Sequence, residues 1–285
     1  MEKKLMVSVD MITYNHEEYI TQAIQGVLMQ ETTFEFELII ADDCSPDGTE
    51  KIINEIISTH PKGNLIKYFR QQQNIGMQAN GLFAVKQCKG KYIAICEGDD
   101  YWTDPYKLQK QVDFLEYNEE FSVCGTYCEV LHNNGKITSI VGGLRKFDYY
   151  DIIKENQVPT LTILFRNGLI DYQSLPKFSI GDIPLLFELT RTGMKGAKLP
   201  FVSGVYRYHG QGIYSGNSRY HNTKEQLKIK YFYSTEFDDK KYKKYFRKYL
   251  IKLCNQEFKY LIKFNVKLFK IKIMILVIKY LIKVR

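Results

Sequence analysis

The chain has 285 residues, and its 40 lysines and arginines exceed its 32 aspartates and glutamates, giving a formal charge of +8. Residues 257–285 hold seven lysines, one arginine and one glutamate, so this tail carries +7 and the preceding 256 residues are close to neutral. A near-neutral body argues against a general nucleic-acid-binding surface. With 45% hydrophobic and 14% aromatic residues and no sustained heptad, the composition also excludes the disordered, collagen-like and coiled-coil classes.

The length allows one large α/β domain or two small ones, and we predict a body over 1–220 followed by a helical, basic extension over 221–285. The first four residues lack the apolar region of a signal peptide, and no run reaches the ~18 uncharged apolar residues that a spanning helix needs. These features predict a cytoplasmic protein. The six cysteines have no metal-site spacing, and we interpret them as reduced core residues.

Apolar runs of strand length alternate with amphipathic helical stretches through the first ~120 residues, which predicts a parallel sheet covered by helices. The continuous apolar run over 38–40 suits a strand that is buried on both faces. The predicted strands are 5–13, 36–41, 65–69 and 92–96, and the predicted helices are 17–30, 47–58, 78–87 and 105–117, with Pro105 in the first turn of the last helix.

The pattern changes after residue 120. Asn134-Gly135 is a strong hairpin signal, so the residues on either side of it, 121–131 and 136–141, are predicted to form an antiparallel pair. The remaining predictions are a helical stretch over 149–192, in which a helix opens at Gly181-Asp182, and a mobile loop over 203–219 that is rich in glycine, serine and tyrosine.

Acidic side chains follow the second and fourth predicted strands. The carboxyl ends of parallel strands meet at the edge of a sheet where ligands bind, so these groups should converge on one crevice. Two acids spaced i, i+2 at a strand end can share a divalent cation, and oxygen ligands suit Mg²⁺ or Mn²⁺ better than zinc. Helix N-capping is an alternative that we favour for Asp47 and Asp104. The acids expected to converge on this crevice are Asp42, Asp43, Glu97, Asp99 and Asp100.

Glycine-rich phosphate-binding loops are missing from the sequence. The first strand ends in Thr13-Tyr14-Asn15-His16 rather than GxGxxG, and Gly90-Lys91 lacks the upstream glycine of a P-loop. Neither HExxH nor GxSxG occurs. A bound cation would therefore have to neutralise any diphosphate.

Four motifs occur in order within the first ~120 residues: VSVDMITYN at 7–15, ELIIADDCSPDGT at 37–49, NIG at 74–76 and CEGDDYW at 96–102. Together they make the chain resemble a family-2 glycosyltransferase of the GT-A fold. A weaker resemblance continues through 160–166, 181–182 and 206–209. It implies an α/β fold with a mostly parallel sheet and a small antiparallel part, and an inverting transferase that uses a nucleotide-diphosphate sugar and Mn²⁺ or Mg²⁺.

The resemblance also implies a donor-nucleotide site. Tyr14 would lie against the base, and Asp43 would accept a hydrogen bond from the base edge, with uridine the leading base although thymidine presents the same edge. Arg207 could close over the diphosphate. The full implied set is Ile12, Thr13, Tyr14, Asp43, Asn74, Gly76, Glu97, Asp100 and Arg207.

For the metal, the resemblance implies Asp99 as a ligand; Glu97 stands where relatives often have aspartate, so it is either a ligand or a ribose contact. His209 is either a further ligand or a bystander. The acceptor hydroxyl needs a base, and Asp182 resembles the family's catalytic base, with a helix N-cap as the alternative. Two other residues, Thr162 and Arg166, either line the acceptor side or pack the fold.

The spacing of the lysines in the tail predicts two separate lysine faces on a helix. On a helix, Lys259, Lys263, Lys267 and Lys270 share one face, whereas Lys272, Lys279 and Lys283 fall nearly opposite, which predicts a break near 270–272. A basic, aromatic and aliphatic segment over 257–285 can lie in an anionic membrane surface, placing the protein on the inner face of the plasma membrane. The alternative is a helix packed on the body with snorkelling lysines.

We therefore expect a hexosyl- or N-acetylhexosaminyltransferase that moves a sugar from a nucleotide-diphosphate sugar, with a UDP-sugar as the leading donor, to a saccharide or lipid-linked acceptor with inversion. Cell-surface polysaccharide or lipopolysaccharide assembly is implied by the family alone. Two alternatives stay open: a sugar-nucleotide nucleotidyltransferase, disfavoured by the missing glycine-rich loop, and a degenerate, non-catalytic sugar- or membrane-binding module. Nucleic acid is not an expected partner.

Overall fold

The computed structural model describes residues 4–172, 181–210, 212, 216–236, 240–263 and 275–280. Strands and helices alternate over the first 117 residues, as the sequence predicts. The strands are β1 (Leu5–Thr13), β2 (Glu35–Asp42), β3 (Ile66–Arg70), β4 (Tyr92–Ile95) and β5 (Tyr101–Trp102), and the helices are α1 (Ile20–Leu28), α2 (Thr49–Thr59), α3 (Met77–Gln87) and α4 (Lys107–Tyr117), which begins two residues after Pro105.

The second half mixes short strands with helices. Its strands are β6 (Phe121–His132), β7 (Ile137–Ser139), β8 (Arg145–Phe147), β9 (Leu164–Arg166) and β10 (Lys195–Tyr208), and its helices are α5 (Tyr149–Ile152), α6 (Asp182–Thr190), α7 (Arg219–Glu236) and α8 (Lys240–Lys263). The Asn-Gly hairpin is confirmed, because β6 and β7 pair antiparallel around it.

The ten strands of the described residues belong to one sheet in the order β3-β2-β1-β4-β9-β6-β10-β5, with β7 beside β6 and β8 beside β10. Strands β1 to β4 run parallel, which confirms the predicted parallel half. Strand β9 is antiparallel to both β4 and β6, and β6 is parallel to β10. The fold is therefore the predicted α/β sheet with an antiparallel insertion at its centre.

Two predictions for the second half are wrong. The stretch predicted as helical over 149–192 contains β9, which is only three residues long and too short to show a period. Residues 203–208, predicted as part of a mobile loop, belong to β10. Strand β10 contains Gly204, Gly196 and Pro200, and its pairing with β6 shifts register three times, so it lacks the regular alternation by which a strand is recognised.

The sheet is covered on both faces. On β1, Val7, Val9 and Met11 are fully buried against the α1 side, in one hydrophobic cluster with Ile24. The opposite face packs against a second cluster to which α3, α5, α6, α7 and α8 contribute. Tyr233 of α7 stacks on Phe187 of α6 with ring centroids 4.4 Å apart. The first part of the C-terminal extension therefore shares the core of the body.

Most of the segment beyond α8 lies outside the described residues, and with it the break predicted near 270–272 and the two lysine faces. In the part of the chain that the structure covers, no helix is long and apolar enough to cross a bilayer. The five cysteines described by side chain form no disulfide, and Cys88, Cys96 and Cys124 are buried.

The contact between α1 and β5 gives a stability prediction. A Cβ on Gly26 would lie 2.8 Å from the backbone nitrogen of Trp102 and 2.9 Å from its carbonyl oxygen, whereas a Cβ on Gly81 of α3 would meet nothing within 4 Å. We expect Gly26→Ala to lower the free energy of unfolding by about 2 kcal/mol, because backbone cannot yield easily. Gly81→Ala should raise it by about 0.5–1 kcal/mol through the better helix propensity of alanine.

Urea denaturation of the two variants beside the wild type provides the measurement. Both changes add one methyl group to a helical glycine, so each controls for the other. Shifts of the same sign and size would contradict the packing of α1 on β5.

Candidate active site

The acidic segment between β4 and β5 lies beside the end of β1. The backbone N–H of Gly98 donates to the carbonyl of Ile12 at 3.0 Å, and the N–H of Asp43 donates to the carbonyl of Thr13 at 2.9 Å. A Cβ on Gly98 would lie 2.7 Å from the Thr13 hydroxyl, so only glycine fits there. The ends of β1 and β2 and the acidic segment thus meet at one edge of the sheet, as the sequence predicts.

Asp99 lies between two imidazoles. Its Oδ2 is 3.1 Å from Nε2 of His209 and 3.8 Å from Nε2 of His16. Burial alone would raise the pKa of the Asp99 carboxyl, but the hydrogen bond with His209 and the two nearby imidazoles lower it below its ordinary value. Burial lowers the pKa of His16 and so favours its neutral form. The site therefore combines one carboxylate with imidazole nitrogens.

This donor set fits the divalent cation that the family resemblance implies. No group of three or more protein ligands in metal-binding geometry occurs among the described residues. However, Mg²⁺ and similar ions are commonly held by one or two protein ligands while substrate phosphates and waters complete the shell. The buried Nδ1 of His209 has no hydrogen-bond partner in the described structure. Asp99 and His209 are thus the residues that would hold the ion.

Asp100 plays a different part from its neighbour. Its side chain is only 1% exposed, and Oδ1 accepts a hydrogen bond of 2.8 Å from the backbone N–H of Arg207. Burial, followed by the charges of Asp99 and Glu97, raises its pKa well above the ordinary value. The contact joins the acidic segment to β10, so Asp100 supports the site from inside the protein, and its predicted contact with the nucleotide stays a prediction.

Arg207 lies inside the protein rather than in a loop. Its guanidinium donates to the carbonyl of Asp99 at 2.6 Å and to the side-chain oxygen of Gln22 in α1. It lies over the ring of Tyr101 at 4.4 Å and that of Tyr19 at 5.1 Å, close enough for cation–π attraction. The guanidinium thus ties β10 to the acidic segment and to α1, and its predicted contact with a diphosphate stays a prediction.

Asp43 organises the loop that leads into α3. Its Oδ1 accepts a hydrogen bond of 2.7 Å from the N–H of Ile75, and its Oδ2 accepts one of 2.9 Å from the N–H of Gly76. The side-chain oxygen of Asn74 also accepts from Gly76, whose φ of 86° suits glycine. Three residues of the implied donor site are therefore adjacent, whereas the base-edge contact of Asp43 is untested.

The three implied residues at the end of β1 differ in exposure. Tyr14 is 43% exposed, Ile12 is half-buried, and Thr13 is buried with its hydroxyl 3.1 Å from Nδ1 of His16. The next residue, Asn15, has a φ of 59°, in the left-handed region that asparagine tolerates. The chain turns sharply here and leaves the Tyr14 ring at the surface of the crevice.

Asp182 and Glu97 interact across the same crevice. Asp182 is the first residue of α6, after the N-cap Gly181, and its Oδ2 accepts hydrogen bonds from Asn156 at 2.5 Å and Thr160 at 3.4 Å. Burial raises its pKa. For Glu97, burial and then the charges of Asp99 and Asp182 raise the pKa to about 8. The structure therefore brings the sequence-distant Asp182 close to the acidic segment.

Thr162 and Arg166 pack the fold, which is the second of the two alternatives given above. Thr162 is fully buried and its hydroxyl donates to the carbonyl of Pro159. The Arg166 guanidinium donates to the carbonyls of Phe121 at 2.9 Å and Leu115 at 2.6 Å. These side chains hold β9 in the middle of the sheet, so the acceptor-lining interpretation is wrong.

Sequence reasoning missed several site residues. His16, Tyr19 and Gln22 surround Asp99 and Arg207, and His16 alone carried a visible signal, directly after the Tyr14-Asn15 pair. Asp10 was hidden in an apolar strand; its Oδ1 is buried without a hydrogen-bond partner in the described structure, and burial raises its pKa to about 7.

Comparison with solved structures places this fold among the GT-A glycosyltransferases. The structure of TarS residues 1–349 from S. aureus, in complex with UDP-GlcNAc, superposes with a TM-score of 0.72 over 98% of this chain and 81% of that one, at 18% identity. Residues 8–170, more than half of the chain, match the family described as Glycosyl transferase family 2. The protein belongs to this family, which confirms both the predicted family and the predicted fold.

Sequence relatives agree with this assignment. An uncharacterized protein of Mycobacterium tuberculosis is 36% identical over 211 residues, which span 73% of this chain and only 60% of that protein. The UDP-Glc:alpha-D-GlcNAc-diphosphoundecaprenol beta-1,3-glucosyltransferase WfaP of Escherichia coli is 27% identical over 73% of this chain and 79% of its own. The chain thus corresponds to somewhat over half of the mycobacterial protein and most of WfaP.

The buried carboxyl of Asp10 predicts a pH-dependent stability. Its pKa is raised from 3.8 to about 7 in the folded protein, so the folded state holds a proton that the unfolded state releases, and stability falls as the pH rises through this interval. We expect the wild type to lose about 1–2 kcal/mol more stability between pH 5 and pH 8 than Asp10→Asn, which cannot ionise.

Urea denaturation of both proteins at several pH values measures this difference. A packing defect of asparagine would shift its stability by the same amount at every pH and would leave the pH dependence unchanged, which separates the two effects. Parallel stability profiles across the pH range would show that Asp10 does not hold the proton.

Proposed function

We propose that the protein is an inverting glycosyltransferase that moves a sugar from a UDP-sugar to a saccharide or lipid-linked acceptor with the help of a divalent cation. The observation that carries the proposal is that Asp99 and His209 lie in one crevice with Glu97 and Asp182, although Asp182 is more than 80 residues from Glu97 and Asp99 in sequence. Within this family, that arrangement supports a cation-binding side and a base-bearing side.

The donor half of the proposal concerns the end of β1 and the loop before α3. Tyr14 offers an exposed ring on which a base can stack, and each Asp43 oxygen that accepts a backbone N–H keeps a further lone pair for the N–H of a uracil edge. WfaP is named for UDP-Glc and the TarS structure contains UDP-GlcNAc, which supports UDP as the nucleotide. Glu97, with a raised pKa, is a candidate ribose contact.

The cation would be held by Asp99 and His209, with His16 beside them. When bound, Mn²⁺ or Mg²⁺ supplies positive charge that stabilises the departing nucleoside diphosphate. The protein itself holds Asp99 in place. The Arg207 guanidinium donates to the backbone carbonyl of Asp99, and His209 contacts Oδ2 of its side chain. Arg207 thus acts as a positioning residue for this ligand.

Asp182 is proposed as the base. A carboxyl with a raised pKa accepts a proton from the attacking hydroxyl more readily than an ordinary one. The capping residue of α6 is Gly181, so the alternative of a simple N-cap is not favoured by the helix boundary. Hydrogen bonds from Asn156 and Thr160 to Oδ2, and from the backbone N–H of Ile183 to Oδ1, fix the orientation of the Asp182 carboxylate.

The proposed acceptor and the proposed pathway are supported only by the names of relatives. WfaP is named for an acceptor that is a sugar on diphosphoundecaprenol, which supports a lipid-linked acceptor and a role in cell-surface polysaccharide assembly. An acceptor of that kind would favour a peripheral location at the cytoplasmic face of a membrane, to which the 257–285 tail would contribute.

For the base, we expect Asp182→Asn to reduce transfer by about 10²–10⁴-fold while UDP-sugar binding in the presence of Mn²⁺ is retained, because the amide cannot accept the proton. Asp151→Asn, at a first-turn acid of the neighbouring α5, is the matched control and should keep its activity. UDP release from a panel of UDP-sugars, with calorimetric donor binding, measures both effects. Wild-type transfer by Asp182→Asn would disprove the assignment.

For the cation, Asp99→Ala should abolish the dependence of UDP-sugar binding on Mn²⁺, because the carboxylate ligand is lost. Asp113→Ala, an exposed acid on α4, should leave that dependence unchanged. Titration of Mn²⁺ with and without UDP-sugar gives the readout. Unchanged donor affinity of Asp99→Ala at saturating Mn²⁺ would contradict the role, and absence of UDP release from every donor by the wild type would favour the non-catalytic module.

A further inference from the structure

Helix α8 presents one face to the body. Tyr242, Phe246 and Leu250 are fully buried in the second hydrophobic cluster. The Tyr242 ring lies 5.0 Å from that of Tyr149 and 5.8 Å from that of Phe187, measured between centroids. The first three turns of α8 are therefore fixed on α5 and α6, and the orientation of the opposite face is fixed with them.

That opposite face is a row of exposed cations, which we call the basic stripe. At 100° per residue its members fall within an arc of about 140°, and over about 12 residues the row extends roughly 18 Å along the helix. No acidic residue interrupts residues 240–256. The basic stripe consists of Lys240, Lys244, Arg247, Lys248 and Lys252.

The basic region therefore begins at residue 240, the start of α8, rather than at residue 257. Residues 1–239 contain 25 basic and 31 acidic side chains and carry −6, whereas residues 240–285 contain 15 basic and one acidic side chain and carry +14. When the chain is divided at residue 257 instead, the first seven cations of α8 are counted with the acidic body, and the sum for residues 1–256 is close to zero. The protein is thus an acidic body on which a strongly basic helix is packed.

A surface of this composition fits an anionic lipid bilayer. Long lysine and arginine side chains place their charges among lipid phosphates while their stems lie along apolar surface. Ile251, which lies within the arc of the stripe near its C-terminal end, is 45% exposed and would enter the interface, where a nucleic-acid phosphate backbone offers nothing apolar. The acidic body would be repelled by the same lipids, so attraction is confined to the stripe.

We propose that the basic stripe of α8 is the surface by which the protein binds an anionic membrane. The stripe lies ahead of residues 257–285, so the two alternatives given for that tail stay predictions. The proposal does not depend on the proposed transfer reaction, and its test uses binding alone.

The test compares full-length variants that differ equally in charge. The stripe variant carries Lys240→Gln, Lys244→Gln, Arg247→Gln and Lys248→Gln. The control variant carries Lys51→Gln, Lys86→Gln, Lys89→Gln and Lys136→Gln, at exposed lysines of the body. Both keep residues 257–285 unchanged. Flotation with vesicles containing phosphatidylglycerol, and with vesicles of phosphatidylcholine alone, measures binding, and thermal unfolding checks that the folds are intact.

We expect wild type and control to float with phosphatidylglycerol vesicles only, and to do so less at high salt, while the stripe variant loses at least about tenfold in affinity. Equal flotation of folded stripe and control variants would assign binding to another segment and overturn the proposal. So would flotation with neither vesicle by the wild type, including the case in which it instead shifts a DNA or RNA duplex in a gel. Calorimetric UDP-sugar binding by both variants separates these outcomes from any failure of the transfer proposal.

Discussion

The site depends on the contact between Arg207 and the pair Asp99 and Asp100. Two adjacent carboxylates beside Glu97 repel one another, and one of them is almost completely buried. Arg207 offsets this with its backbone N–H on Asp100 and its guanidinium on the carbonyl of Asp99. A strand more than 100 residues further along the chain thereby fixes the backbone of the acidic segment. Without that contact, neither the direction of the Asp99 side chain nor the position of His209 two residues after Arg207 would be defined.

In the other acidic pair, Asp42 and Asp43, the two carboxylates also have different hydrogen-bond partners. Asp42 is fully buried and accepts hydrogen bonds from the backbone and hydroxyl of Ser45 and from the Tyr68 hydroxyl. Its neighbour Asp43 turns to the loop at Ile75 and Gly76. In each pair one carboxylate is used by the protein interior, so a count of acids in the sequence overstates the number that can reach a ligand. Burial separates the roles of Asp99 and Asp100, whereas Asp42 and Asp43 are both buried and differ in their hydrogen-bond partners.

How far the sequence predicts the fold depends on the range of the contacts. The first half alternates β and α elements whose periods are local, and each of its main strands and helices is found close to its predicted place. Strand β9 exists because Phe165 and Leu164 find partners on β4 and β6, contacts that a three-residue pattern cannot reveal. Strand β10 contains glycine for a steric reason: at Gly204 a Cβ would lie 2.7 Å from the carbonyl of Tyr101. In the sequence, the same glycine content predicts a loop.

The candidate site divides in the same way. Family motifs point to Asp99, Glu97 and Asp182, and the structure brings Asp99 and Asp182 close enough to Glu97 for their charges to raise its pKa. It also reveals groups without a motif. Tyr19 and Gln22 act only through Arg207, so nothing in their own sequence surroundings marks them. Asp10 occupies an apolar strand, and its buried, unmatched oxygen becomes visible only when the sheet is assembled.

Helix α6 connects the crevice with the C-terminal helix α8. Helix α6 begins with Asp182, and five residues later Phe187 packs against Tyr242 of α8. At 1.5 Å per residue, the proposed base is about 8 Å along α6 from that contact. The basic stripe is thus anchored through the element that carries the proposed base. If an anionic membrane attracts the stripe while it repels the acidic body, the protein has a preferred orientation on the surface, and α6 lies close to the attached side. If the proposed lipid-linked acceptor and the proposed base are both correct, this orientation would bring the acceptor to the side of the protein that carries α6.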